Sequence, residues 1–86
     1  MSYTIKIMKQ AKKKLESLQR SERARLTDKI NDLGYNPDDP TLDVKRLVGE
    51  PYYRLRVGDW RIIFDREDVL KIISVEKIKS RGDVYK

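Results

Sequence analysis

The run Tyr53-Arg54-Leu55-Arg56-Val57-Gly58-Asp59-Trp60-Arg61-Ile62-Ile63-Phe64 decides how this chain folds. Two stretches of alternating apolar and charged residues flank Gly58-Asp59, and a two-residue loop containing glycine is a strong short-range hairpin signal. Such a loop fixes register. It sets Val57 opposite Trp60, Arg56 opposite Arg61, Leu55 opposite Ile62 and Arg54 opposite Ile63. Side chains alternate across a strand, so Tyr53, Leu55, Val57, Trp60, Ile62 and Phe64 share an apolar face, which must be the core side. Arg54, Arg56 and Arg61 share the other face. A slip of one residue would bury the arginines and expose Leu55 and Ile62, so the alternation argues against it.

Outward from the hairpin, Asp65-Arg66-Glu67-Asp68 reads as a polar turn and Val69–Val75, rich in Val and Ile, as the next strand. Toward the N-terminus, Gly49 and Pro51 mark a turn, and Val44 and Leu47 anchor the stretch before it to the core. Asn36-Pro37 and Asp39-Pro40 make residues 35–41 a loop, because proline restricts both itself and its predecessor. Leu26, Ile30 and Leu33 follow the i, i+4, i+7 spacing of one helical stripe, and Ala11, Leu15 and Leu18 do the same in an earlier helix; a break near Arg20-Ser21 separates the two. Gly34 is a candidate left-handed helix stop. Helices with so short a connection should pack as an antiparallel hairpin. Before them, Tyr3, Ile5 and Ile7 alternate with Thr4, Lys6 and Met8, a first strand. The order β-α-α-β-β-β predicts an α+β domain, an N-terminal helical hairpin on a mostly antiparallel four-stranded sheet, with residues 1–86 as a single domain.

Charged residues make up 40% of the 86, with 20 Lys and Arg against 14 Asp and Glu, a formal net charge of +6. A basic excess on so small a body favours a polyanion or an acidic protein as partner. The chain has no cysteine and no histidine, which removes disulfides, thiol nucleophiles, the commonest transition-metal ligands and the usual general base. Chemistry must rest on Lys, Arg, Tyr, Asp or Glu. Met1-Ser2-Tyr3-Thr4 begins no apolar leader and no apolar run approaches membrane-spanning length, so the cytosol is the expected compartment, with no membrane partner.

Within this frame the arginine face is the candidate site. Like charges directly opposite on a sheet cost up to about 1 kcal/mol, and a cost of this kind tends to mark function. Three guanidiniums, each able to donate two parallel hydrogen bonds, make a phosphate cradle. The simpler alternative is that Asp65, Glu67 or a residue of the last strand neutralises them. The ending Lys77-Ile78-Lys79-Ser80-Arg81-Gly82-Asp83-Val84-Tyr85-Lys86 adds cations and a tyrosine. Should it return beside the arginine face, Arg81 could stabilise charge on a pentacovalent phosphate, and Tyr85 could stack on a base or contact that phosphate. Lys9, Lys12, Lys13, Lys14, Arg20, Arg23, Arg25 and Lys29 cover the helices; a solvated face is the simpler reading, and ribosomal RNA backbone is the natural ligand if they bind one.

Lys45-Arg46-Leu47 and the Tyr53-to-Phe64 run closely resemble the central motif of the RelE/ParE toxin superfamily, and Arg81-Gly82-Asp83-Val84-Tyr85-Lys86 resembles the ending of one RelE-like branch. The resemblance spans essentially the whole chain. It implies the toxin of a type II toxin–antitoxin pair: a ribosome-dependent endoribonuclease that binds the A site and cuts mRNA there without metal or other cofactor. The RNA 2′-hydroxyl attacks the adjacent phosphate, leaving a 2′,3′-cyclic phosphate and a 5′-hydroxyl. It also implies a cognate antitoxin that blocks the toxin, and a toxin–antitoxin hetero-oligomer on operator DNA.

By position, Arg61 matches the family's phosphate-stabilising arginine, and Arg54 and Arg56 match basic positions of the first hairpin strand. Arg81 and Tyr85 match closing residues, Arg81 more loosely. Two departures stand out: the family often has lysine where Arg54 and Arg56 stand, and some members use a C-terminal histidine. Arginine stays protonated in proteins. The proton-accepting step therefore has no owner, with Lys77, Lys79 and the Tyr85 phenol as candidates. The same resemblance admits a ParE-like gyrase inhibitor without nuclease chemistry, and a non-toxic relative that only binds nucleic acid or antitoxin.

Overall fold

The computed structural model describes residues 2–80. Its elements are β1 (Thr4–Ile7), α1 (Lys9–Glu16), α2 (Arg20–Tyr35), β2 (Asp43–Arg46), β3 (Tyr53–Val57), β4 (Trp60–Glu67) and β5 (Ile72–Ser80). The strands form one sheet in the order β1-β5-β4-β3-β2. All neighbours are antiparallel except β1 with β5. The chain leaves β1 at one edge, crosses one face of the sheet as two helices and lands at the opposite edge as β2. A meander then walks back until β5 lies parallel to β1.

The α+β architecture is the one expected, with a fifth strand. Residues 43–46, anticipated only as an anchoring stretch, pair with β3 as β2, Val44 opposite Leu55 on the core side. Two strand boundaries also differ. The polar Asp65-Arg66-Glu67 continues β4 rather than turning, because its backbone pairs with Ile72, Ile73 and Ser74. The last strand is therefore Ile72–Ser80, not 69–75, and it carries Lys77 and Lys79 into the sheet.

One core joins both layers. Ala11 and Leu15 of α1, with Leu26, Ile30 and Leu33 of α2, pack against Leu55, Val57, Ile62, Phe64, Ile73, Val75 and Ile78 of the sheet. Helical spacing selects the helical residues among these; Leu18, expected on the stripe of Ala11 and Leu15, instead lies beyond the end of α1 at Glu16 and packs against the core only partly buried. Phe64 is fully buried and stacks on Tyr53 with ring centroids 5.6 Å apart. Gly34 does not stop the helix: α2 runs through it to Tyr35. Its role is close approach. A Cβ there would lie 2.8 Å from Ile5 Cγ1 and Cδ1, and the Gly34 carbonyl accepts a hydrogen bond from the Tyr3 N–H at 2.6 Å.

Candidate functional site

The hairpin holds the register that its loop demands, with Arg56 opposite Arg61 and Val57 opposite Trp60. Gly58 has φ +59°, and no positive φ occurs at Asp59, the pattern of turns with glycine in the first loop position. Trp60 Nε1 donates to Glu22 Oε2 at 2.5 Å, Lys14 Nζ lies 5.7 Å from the Trp60 ring centroid, and the Arg25 guanidinium lies against Gly58. These contacts fasten the tip of the hairpin to the helices and fix the backbone that carries Arg61.

On the solvent face of the sheet, one cross-strand row reads Asp43, Arg56, Arg61, Lys79. The next reads Lys45, Arg54, Ile63, Lys77. The three arginines thus share a face, but they do not share a state. Arg54 is held by Asp43, through Nη1 to Oδ1 at 3.2 Å and to the backbone oxygen at 3.3 Å. Arg56 is exposed and donates through Nε to the Gly58 carbonyl at 3.4 Å. Arg61 is half-buried, and among the described residues its Nη1 is enclosed without an acceptor. A buried donor left unpaired costs about 1–3 kcal/mol, more when charged, so it calls for an explanation. The carboxylate that neutralises part of the cluster comes from β2, not from the anticipated Asp65, Glu67 or last strand: Asp65 faces Ser74 further along the sheet, Glu67 accepts the Leu70 N–H, and among the described residues no carboxylate of β5 pairs with the arginines.

A cleft of about 470 Å³ opens beside this face. Arg54, Arg61, Lys77 and Lys79 supply its cations, and Ile63, Leu47, Tyr52, Glu50 and Glu76 complete the lining. Arg56, across the ladder from Arg61, is not among the lining residues. Arg81 and Tyr85 lie outside the described residues.

Sequence reading placed Arg54, Arg56 and Arg61 together. It did not place Lys79 directly across from Arg61, nor Glu76 in the cleft. The clue was available. Ile73, Val75, Lys77 and Lys79 alternate in phase, which would drive two lysines into the core, whereas Ile78 is out of phase and buried. Ile63 pairs with Lys77 and Phe64 with Val75, so Glu76 is the extra residue of a bulge that restores the pattern.

A β-α-α-β-β-β-β domain with a basic, arginine-lined sheet face defines a toxin of the RelE/ParE kind. The sequence matches the family described as ParE toxin of type II toxin-antitoxin system, parDE, over residues 5–85, and the chain belongs to that family. The fold is similar to the archaeal RelE–RelB complex of Pyrococcus horikoshii OT3, with a TM-score of 0.81 and 36% identity over 95% of this chain and 98% of the other. It is also similar to the RelB–RelE antitoxin–toxin complex of Methanococcus jannaschii (TM-score 0.77, 25% identity, 94% and 95% covered). The intact RelBE toxin–antitoxin complex of E. coli is alike in fold (TM-score 0.77, 18% identity, 92% and 96% covered). No curated protein is a significant sequence match. Among the described residues, no helix is long and apolar enough to cross a membrane.

Proposed function

We propose that this toxin is a single-domain, ribosome-dependent endoribonuclease of the cytosol that cleaves mRNA in the A site by 2′-hydroxyl attack, without metal. The observation that carries the reading is Arg61: a guanidinium with an enclosed, unpaired nitrogen, flanked across the ladder by Arg56 and Lys79. A dianionic phosphorane supplies the acceptor that the protein withholds, and preorganised donors stabilise such charge better than donors that must first move. Arg54, already braced by Asp43, orients the flanking backbone. Arg81 and Tyr85, by their match to the family's closing residues, are the further catalytic residues of this reading. A cognate antitoxin covers the toxin, and the similarity to toxins solved in RelE–RelB complexes supports that partner; the pair binds operator DNA as a hetero-oligomer.

Primer extension on programmed ribosomes tests the reading. Wild-type toxin cuts A-site mRNA, and Arg61→Ala lowers the rate by about 100–1,000-fold while folding normally. Equal cutting by the variant would remove Arg61 from the site. A second reading has one specific observation behind it, the family description naming ParE: a protein-binding gyrase inhibitor on the same fold. Inhibition of supercoiling by the purified toxin, with ribosome-bound mRNA left intact, selects it.

A further inference from the structure

Abstraction of a 2′-hydroxyl proton needs an acceptor, and the arginines of the outer face cannot serve, because guanidinium does not give up its proton in proteins. Glu76 can. The bulge in β5 leaves it without a partner on β4 and aims it into the cleft that Arg61, Lys77 and Lys79 also line. Bulges re-aim side chains and gather beside active sites. The residue is half-buried, yet among the described residues its carboxylate makes no hydrogen bond and no ion pair, although cations surround the cleft. A carboxylate present merely to neutralise the face would be engaged as Asp43 is with Arg54. Glu76 lines the same cleft as the cations, and among the described residues none of them engages it.

From this placement we infer that Glu76 is the proton acceptor of the site, an assignment that rests on the nuclease reading above. The 2′-hydroxyl proton passes to the Glu76 carboxylate as the 2′-oxygen bonds to phosphorus. Arg61 takes up the charge on the non-bridging oxygens. The P–O5′ bond breaks, the departing 5′-oxygen takes a proton from solvent, and Glu76 returns its own to solvent. The products are a 2′,3′-cyclic phosphate and a 5′-hydroxyl, so atoms and charge balance with no metal or co-reactant.

The test is single-turnover cleavage on programmed ribosomes at saturating toxin, with wild type, Glu76→Gln, Glu76→Ala, Arg61→Ala and Asp65→Asn. Asp65 lies on the same sheet face outside the cleft and controls for the loss of one negative charge. Glu76→Gln slows cutting by about 100-fold or more, the range of a lost general base, while ribosome affinity is kept or tightened. Asp65→Asn cuts at the wild-type rate. Added formate, a diffusible carboxylate, restores cutting to Glu76→Ala and not to Arg61→Ala. Cutting by Glu76→Gln at or above the wild-type rate overturns the assignment, since a plain counter-charge behaves that way. So does an equal loss in Asp65→Asn, or a folded Glu76→Ala that formate does not rescue. A wild-type toxin that cuts no ribosomal mRNA at all removes the nuclease reading itself, a result distinct from these.

Discussion

Arg61 gathers into one side chain the costs that a stable fold would avoid. It has a cation on either side in the ladder and a buried nitrogen with no acceptor among the described residues. A turn and a long-range bond hold it there: Gly58 turns the chain with φ +59°, and Glu22 of α2 grips Trp60, the first residue of β4. An L side chain in the left-handed region costs about 1–2 kcal/mol, and a Cβ at Gly58 would meet Arg25 Nη2 at 2.5 Å. The guanidinium end can swing aside; the backbone strain cannot. Gly58→Ala should therefore lower stability by about 1–2 kcal/mol, or about 5–15 °C in Tm for a domain of this size. Thermal unfolding followed by circular dichroism checks it, and an unchanged midpoint would show that the turn tolerates another conformation. Arg61 also shows what sequence can say about a site. Two residues of loop set its face and its neighbour on β3, whereas its neighbour on β5 depended on a bulge that no turn motif announces.

At the scale of elements, the second ion network ties the 36–41 loop and the β4–β5 turn to the sheet. Arg66 donates to both carboxylate oxygens of Asp38, at 2.8 and 3.0 Å, and through Nε to Asp68 at 2.7 Å; the Tyr3 hydroxyl adds a bond to Asp68 at 2.9 Å. Hydrogen bonds from Arg66 hold the Asp38 and Asp68 carboxyls below their ordinary value of 3.8. Depressed folded-state values mean that the ionised carboxylates stabilise the fold above the unfolded value, and that this contribution is lost as pH falls through the folded ones. Both carboxylates are exposed, so the effect is modest. Denaturant midpoints should be insensitive to this network above about pH 5 and should fall from about pH 4 downward, with Arg66→Gln flattening the decline. A decline of equal steepness in the variant would place the acid sensitivity elsewhere. The network was invisible in the sequence because its partners come from a loop, a strand and a turn up to 28 positions apart for the Arg66 pairs. Helical stripes such as Leu26, Ile30 and Leu33 were legible because one element defines them. β2 was not: four residues with a single apolar position, Val44, at a sheet edge carry too little alternation to distinguish a strand from a loop.

For the whole molecule, the net charge of +6 is distributed with a direction. Lys79 lines the cleft on one side and, on the other, a shallow groove with Lys13 and Lys14 of α1. A path of positive charge thus runs from the first helix to Arg61, and an RNA backbone leaving the cleft on that side meets α1 next. Contacts of this kind position a strand without reading it, and each one releases condensed counterions on binding. Lys13→Ala should weaken binding of the toxin to programmed ribosomes at every codon alike. It should also reduce the slope of log affinity against log salt by about 0.7–0.9, the value of one phosphate contact. On the nuclease proposal, cleavage within the saturated complex should not change, because Lys13 is not among the residues that line the cleft. A salt slope identical to wild type would mean that the helix face is simply solvated. The docking path would then have to leave the site on the side of β2, where Lys45 and Arg46 are the exposed cations.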